Sequence, residues 1–105
     1  MASEVVDVRE AQRFEIRTDG ELAGFVTYAR GDGTVSMMHT EIASAFEGQG
    51  LGSILVRGAL DAARGEGVGV LPYCPFVRSY VQRHPEYVDL VPQARRSEFG
   101  LSGTT

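Results

Sequence analysis

Three glycines at alternate positions, Gly48, Gly50 and Gly52, mark the point where the hydrophobic pattern of this chain changes its period. Upstream of them, apolar and polar residues alternate, as is typical of half-buried strands. Downstream, apolar residues recur at the spacing of an amphipathic helix. Glycine loses more backbone freedom on folding than any other residue, so three close together need a structural reason. They indicate a backbone that bends sharply or that must be free of side chains.

Three strands joined by two tight turns are predicted before the glycines. Residues 12–18 and 21–30 flank Asp19-Gly20, a pair typical of a two-residue hairpin turn. A second turn over 31–33 leads into a strand over 34–42. This pattern predicts an antiparallel meander. Before the meander, a short helix near the N-terminus is compatible with the sequence, but no pattern indicates it.

A helix, a short strand and a second helix are predicted after the glycines. Residues 51–64 are rich in leucine and alanine, residues 68–73 form a short apolar run, and Pro75 suits the first turn of a helix. The order β-β-β-α-β-α predicts an α+β domain over residues 1–92, with one β-α-β crossover. Residues 93–105 are polar with few apolar anchors, so we expect a flexible tail there.

Composition excludes several classes of function. The chain has 105 residues and a net charge of −4, which disfavours nucleic acid as the main partner. It has no apolar run long enough to span a membrane and no secretory signal, and its single cysteine cannot form an internal disulfide. We therefore expect a cytoplasmic protein. The sequence does not indicate an oligomeric state.

The glycine stretch is a candidate anion site. The start of a helix exposes unpaired N–H groups, and glycines let a phosphate approach them closely. The spacing G-x-G-x-G matches neither the P-loop nor the dinucleotide fingerprint. The alternative is a plain flexible turn before a helix. Gly58, inside the predicted helix, is interpreted as a point of close packing against the sheet.

These residues also resemble a known family. "GQGLGS" before an apolar helix resembles the acetyl-CoA loop of the GNAT N-acetyltransferases, whose pattern is Gln/Arg-x-x-Gly-x-Gly/Ala. Gly50 and Gly52 fall on its two small positions, whereas Glu47 replaces the first Gln or Arg. Together with "HTEI" and "LPYCPFVRSYVQRHPEYVDL", the likeness runs from about His39 to Leu90 and points to the minimal, single-domain branch of that superfamily.

The resemblance implies a fold, a cofactor and a binding loop. The fold would be a mixed, mostly antiparallel sheet with flanking helices, in which the strands on either side of the first helix splay apart to admit acetyl-CoA. The cofactor would contact the backbone of Ile42 through its pantetheine arm. Its pyrophosphate would lie on Gly48, Gln49, Gly50, Leu51, Gly52 and Ser53. No spacing of His, Cys and acidic residues indicates a metal site.

Cys74 is the strongest catalytic candidate. It follows the last predicted strand and precedes Pro75, so it sits at a helix N-terminus, which favours the thiolate form. In the minimal family the corresponding cysteine lies near the acetyl end of the cofactor, where it could accept the acetyl group before passing it on. The alternative is a buried cysteine packed as a small hydrophobe.

Three further residues are candidates for proton transfer. His39 and Glu41 lie two apart on a strand, so they share a face and could deprotonate an amine. Tyr80 resembles the tyrosine that protonates the leaving thiolate in the superfamily. The alternatives are a solvated polar face for the first two residues and a core aromatic for Tyr80.

The resemblance implies a small N-acetyltransferase that transfers an acetyl group from acetyl-CoA to an amine, such as a protein lysine or N-terminus. One alternative is a CoA-binding sensor or interaction module without catalysis. Another is an α+β interaction domain with no nucleotide ligand, which predicts neither splayed strands nor an anion site. Clustering of Cys74, His39 and Glu41 at the acetyl end would favour the enzyme.

Overall fold

One five-stranded sheet with two helices makes up the computed structural model, which describes residues 2–101. The strands lie in the order of the sequence. No helix in this described part is long and apolar enough to cross a membrane. The elements are β1 (Ser3–Val8), β2 (Arg13–Thr18), β3 (Glu21–Gly31), β4 (Thr34–Ile42), α1 (Leu51–Glu66), β5 (Gly69–Pro72) and α2 (Pro75–Arg83), with 3₁₀ turns at Arg9–Ala11, Ser44–Phe46, Pro85–Leu90 and Gln93–Phe99.

The sheet is mostly antiparallel, as predicted. Strands β1 to β4 pair antiparallel with their neighbours, and β5 pairs parallel with β4 after the crossover through α1. Both predicted hairpin turns are confirmed. Asp19 and Gly20 have positive φ angles of +51° and +84°, and Asp32 and Gly33 have +52° and +76°. Two successive positive φ angles match the right-handed twist of the flanking strands.

Strand β1 differs from the sequence prediction. Most of the residues before position 12 form this edge strand, and helical geometry is limited to Arg9–Ala11. Every residue of β1 is exposed or half-buried, and its sequence shows no clean alternation of apolar and polar residues. The strand is instead specified by its pairing with β2 and by contact with α1.

Helix α1 packs on one face of the sheet through its apolar stripe. Its buried side chains recur at helical spacing: Leu51, Leu55, Val56, Ala59, Leu60 and Ala63. Gly58 lies against β1, where an added Cβ would stand 2.8 Å from Cβ of Val5, which confirms the predicted close packing. Gly67, with φ of +72°, ends the helix in the left-handed conformation.

The C-terminal segment does not match the predicted flexible tail over residues 93–101. Residues Gln93–Phe99 form a 3₁₀ helix, and Phe99 and Leu101 are only 3% and 1% exposed. The ring of Phe99 packs edge-on against Tyr73, with the centroids 5.3 Å apart. Two isolated apolar anchors produce no periodic signal, so local patterning does not identify them. Residues 102–105 of the predicted tail lie outside the described residues.

Candidate functional site

Strands β4 and β5 separate before β4 ends. Their parallel register runs from Thr34 and Gly69 to Met37 and Pro72. The backbone N–H of Cys74 then donates to the carbonyl oxygen of Met37, at 2.9 Å, as the chain turns into α2. Strand β4 continues to Ile42, five residues past its last pair with β5. Strand β4 therefore runs on without β5 beside it, and the space between the end of β4 and the start of α2 is called the gap below.

A bulge in β4 decides which side chains face this gap. Thr27 pairs with His39 and Tyr28 pairs with Met37, so Met38 is an extra residue. Beyond the bulge, Thr40 pairs with buried Val26, and it therefore lies on the face that α1 covers. Ile42 shares that face with Thr40, because side chains alternate along a strand. The side chains of residues 39 and 41 point to the other face.

A cavity of about 390 Å³ lies at the start of α1, where the gap opens. Ile42 forms one side of it and the glycine loop forms another. It is lined by Ile42, Phe46, Glu47, Gly48, Gly50, Leu51, Gly52, Ser53 and Phe76. All the predicted cofactor-binding residues except Gln49 therefore meet here. Phe46, Glu47 and Phe76 were not predicted as lining residues, and Phe76 could have been noticed as a large apolar residue on the exposed first turn of a helix.

The three glycines of the loop meet different structural requirements. Gly48 and Gly50 have positive φ angles of +84° and +74°, which favour glycine. An added Cβ at either position would meet nothing within 4 Å, so their surroundings are open. Gly52 lies in the helix, where an added Cβ would stand 2.8 Å from Cζ of Phe76. Two glycines therefore shape the turn, and the third makes room for an aromatic ring.

The loop fits an anion through its backbone. Gly50 is the N-cap of α1, and no side chain caps the first turn. The N–H groups of Leu51, Gly52 and Ser53 have no partner within the helix, and the helix dipole adds positive potential there. Among the described residues that line the cavity, none is a lysine or arginine. A phosphate here would therefore depend on main-chain donors.

Cys74 lies at the inner end of the gap. It is 4% exposed and occupies the N-cap position of α2, as predicted. Its Sγ lies 3.2 Å from Oγ1 of Thr40. Thr40 is two residues from Ile42 on the same face of β4, so these side chains lead from the cavity to the thiol. The sequence did not single out Thr40, because pairing it with Cys74 requires the bulge and the crossover.

His39 and Glu41 pair with each other rather than with Cys74. Nε2 of His39 and Oε2 of Glu41 are 3.0 Å apart, and both side chains are 60% exposed. They project from the sheet face opposite α1, so the expectation that they share a face is confirmed. The three candidates do not form one cluster. Among the described residues, no group of three or more His, Cys, Asp and Glu side chains is placed to hold a metal ion.

Tyr80 is a packed aromatic on α2. Its side chain is buried and stacks on His84, with ring centroids 4.1 Å apart, and it also contacts Tyr87. Tyr80 lies six positions after Cys74, about 9 Å along the helix axis. These contacts match the core alternative, and the acid role of Tyr80 stays a prediction.

A buried carboxylate lies on the same open face as Glu41. Glu15 pairs across the sheet with Phe25, which in turn pairs with Glu41. Arg13 and Arg17 hold its two oxygens at 2.8 and 3.0 Å. Burial raises the pKa of Glu15, but hydrogen bonds and attraction from Arg13 and Arg17 outweigh burial and lower the pKa below its usual value. No sequence motif marks this group, because residues 13, 15 and 17 are typical of an exposed strand face.

Comparison with known proteins identifies the family. A profile described as GCN5-related N-acetyl-transferase matches residues 13–90. The chain belongs to the GCN5-related N-acetyltransferase family. The matched range begins at β2, includes the glycine loop and Cys74, and ends at Leu90.

The chain is also similar to individual proteins. The chain is 29% identical over 79 residues to Protein NATD1 of Xenopus tropicalis, covering 73% of this chain and 72% of that protein. It also resembles the NMR solution structure of a "GCN5-like putative N-acetyltransferase" from Staphylococcus aureus, with a TM-score of 0.64 and 21% identity. That likeness covers 85% of this chain and 87% of the other, and at this identity it shows the fold alone.

Proposed function

We propose that this protein is an N-acetyltransferase that uses acetyl-CoA to acetylate an amine. The observation that carries the proposal is the uncapped start of α1, formed by open glycines and set beside the gap between β4 and β5. The inner end of that gap holds Cys74, the only cysteine in the chain. Family membership supports acetyl transfer in general.

The glycine loop and β4 would hold acetyl-CoA, which supplies an acetyl group activated as a thioester. Main-chain N–H groups of Leu51, Gly52 and Ser53 would bind the pyrophosphate. The backbone of β4 beyond Met37 has no β5 partner in its register, so its polar groups near Ile42 are suited to the amides of a pantetheine arm. Apolar side chains of Phe46 and Phe76 would cover the methylene groups of the cofactor.

The acceptor amine must be neutral to attack, so a base must take its proton. The His39–Glu41 pair is exposed on the open face of the sheet and is the proposed base. Two routes are compatible with this arrangement. In the first, the neutral amine attacks the thioester carbon and CoA leaves as its thiolate. In the second, the Cys74 thiolate attacks first, CoA leaves as its thiolate, and the amine then displaces the Cys74 thiolate from acetyl-Cys74. We infer a protein lysine or N-terminus as acceptor, because the exposed base faces an open surface.

A second candidate function is a CoA-binding module without catalysis. The observation that favours it is the placement of His39 and Glu41, which point away from the face that holds Cys74. In this arrangement the proposed base and the thiol do not form one catalytic cluster. The two functions share the binding loop and differ only in whether the acetyl group is transferred.

The test is the release of free CoA thiol from acetyl-CoA. Two probe acceptors are used: a lysine peptide with a blocked N-terminus, and a lysine-free peptide with a free N-terminus. The protein is assayed as wild type, Glu41→Gln and Cys74→Ala. We expect release that depends on a peptide and falls in Glu41→Gln. Loss of activity in Cys74→Ala, together with an acetylated wild-type protein trapped in the absence of peptide, supports the cysteine route, whereas activity retained in Cys74→Ala supports direct transfer. Binding of acetyl-CoA without release to either peptide favours the module.

A further inference from the structure

We propose that Thr40 is a positioning residue for Cys74, and that its hydroxyl donates a hydrogen bond to the Cys74 sulfur at the inner end of the gap. The role of this bond in transfer rests on the proposed function, whereas the bond itself does not. The 3.2 Å separation of Oγ1 of Thr40 and Sγ of Cys74 supports this hydrogen bond. This contact joins β4 to the start of α2, on the two sides of the gap.

Two contacts hold Cys74 in place, one through its main chain and one through its sulfur. On the main chain, the N–H of Cys74 is held by Met37, the last β4 residue that pairs with β5. On the side chain, the sulfur meets Thr40, three residues further along the same strand. Thr40 is half-buried and Cys74 is buried, so water does not freely replace this contact. The thiol therefore faces the line of side chains that leads from Ile42 and the cavity.

The direction of the bond follows from the surroundings of the sulfur. Cys74 is the N-cap of α2, and the first turn of that helix contains no acidic residue. The positive end of the helix dipole favours negative charge on the sulfur. A thiolate has no proton to donate and a neutral S–H group is only a weak donor, whereas a threonine hydroxyl is a stronger one. Thr40 is therefore the donor to the neutral thiol and also to the form of the sulfur that can attack a thioester.

Removing the hydroxyl should slow the attack of the Cys74 sulfur. The loss of a hydrogen bond to a charged group makes attack by that group about ten-fold less favourable. A less stabilised thiolate is intrinsically more nucleophilic, with a Brønsted slope near 0.4–0.5, which offsets part of that loss. The net expectation for Thr40→Val, which preserves the side-chain shape, is a thiol that reacts about three-fold more slowly.

Alkylation of the only cysteine by iodoacetamide at about pH 6, below the ordinary thiol pKa of about 8.5, measures this directly and without acetyl-CoA. We expect Thr40→Val to slow modification of Cys74, and Thr40→Ser, which restores the hydroxyl, to recover the wild-type rate. Thr27→Val is the matched control, because Thr27 lies on the opposite face of the sheet and pairs with His39. The sign separates the proposal from a structural effect, since a loosened fold exposes a buried thiol and speeds alkylation. An unchanged or faster rate in folded Thr40→Val overturns the proposal.

The S–H stretching band in the infrared provides a second readout, which belongs to one residue because the chain has one cysteine. If Thr40 is the donor, the band stays at the position of a weakly bonded thiol in wild type and in Thr40→Ser. A wild-type band shifted to low frequency, as for a thiol that donates, overturns the proposal even if Thr40→Val does not fold. Failure of acetyl-CoA to bind would overturn the proposed function and leave both of these results standing.

Discussion

The ring of Phe76 lies so close to Gly52 that a Cβ at position 52 would stand 2.8 Å from its Cζ atom. This contact brings the start of α2 against the start of α1, and both residues line the same cavity. Phe76 is 41% exposed, so its ring can turn outwards if it is displaced. The third glycine of the loop therefore controls the shape of the cavity through an aromatic neighbour.

We expect Gly52→Ala to weaken acetyl-CoA binding more than it changes stability. The added methyl displaces the Phe76 ring, while alanine improves helix propensity by about 1 kcal/mol, so the two effects on unfolding partly cancel. Gly65→Ala is the control, because Gly65 lies in the same helix with nothing within 4 Å of an added Cβ. It should stabilise α1 by about 0.5–1 kcal/mol in urea unfolding and leave binding unchanged. If Gly52→Ala and Gly65→Ala gained equal stability and bound acetyl-CoA equally well, the added methyl at position 52 would not displace the Phe76 ring.

Gly50→Ala should destabilise the protein by about 1 kcal/mol through backbone strain alone. Gly50 has a φ angle of +74°, and an added Cβ would meet no atom within 4 Å. Gly50→Asn should cost less, because asparagine adopts the left-handed conformation more readily. Urea unfolding of the two variants beside wild type tests the order. A cost for asparagine equal to or above that for alanine would show that strain at this position is not the cause.

Glu15 should make the protein more stable at neutral pH than in acid. Its folded pKa lies below the ordinary value of 4.5, so its contribution is present above 4.5 and is lost as the pH falls through the folded pKa. Glu15→Gln should cost about 2 kcal/mol at neutral pH and should flatten the acid limb of the stability curve. The measurement is the free energy of unfolding from neutral pH downwards. Parallel curves for both proteins would refute this role of Glu15.

Phe99→Ala should cost about 3 kcal/mol, because the side chain is buried against Tyr73. The exposed neighbour Ser97 provides a control, and Ser97→Ala should change the free energy of unfolding by less than about 0.5 kcal/mol. Thermal or urea unfolding compares the two. If both substitutions proved neutral, residues 93–101 would be a tail after all.

Local chemistry explains what the sequence predicted well. Asp19-Gly20 and the second turn carry their own backbone preferences, and α1 carries a complete apolar stripe that ends at Gly67. The glycine loop could be placed because it lies between two segments of different period. β1 and the anchor Phe99 depend instead on partners distant in the sequence, so no local pattern predicts them.

The candidate site also depends on features that no local sequence pattern predicts. Alternation correctly put His39 and Glu41 on one face of β4, but it cannot tell which face meets Cys74. That depends on the bulge at Met38, which shifts the register against β3 by one residue. The contact between Thr40 and Cys74 depends further on the parallel pairing of β4 with β5. Both are properties of the assembled sheet.

Calorimetric titration with acetyl-CoA tests the central claim most directly, using wild type, Ser53→Glu and Ser53→Gln. Ser53 is exposed in the first turn of α1 and lines the cavity, and a carboxylate there suits the helix dipole, so folding should be preserved. The same carboxylate repels a pyrophosphate, whereas glutamine has nearly the same size without the charge. We predict that wild type and Ser53→Gln bind acetyl-CoA and that Ser53→Glu binds at least about ten-fold more weakly. Absence of binding to wild type, or equal binding to all three proteins, would contradict a pyrophosphate site at this loop.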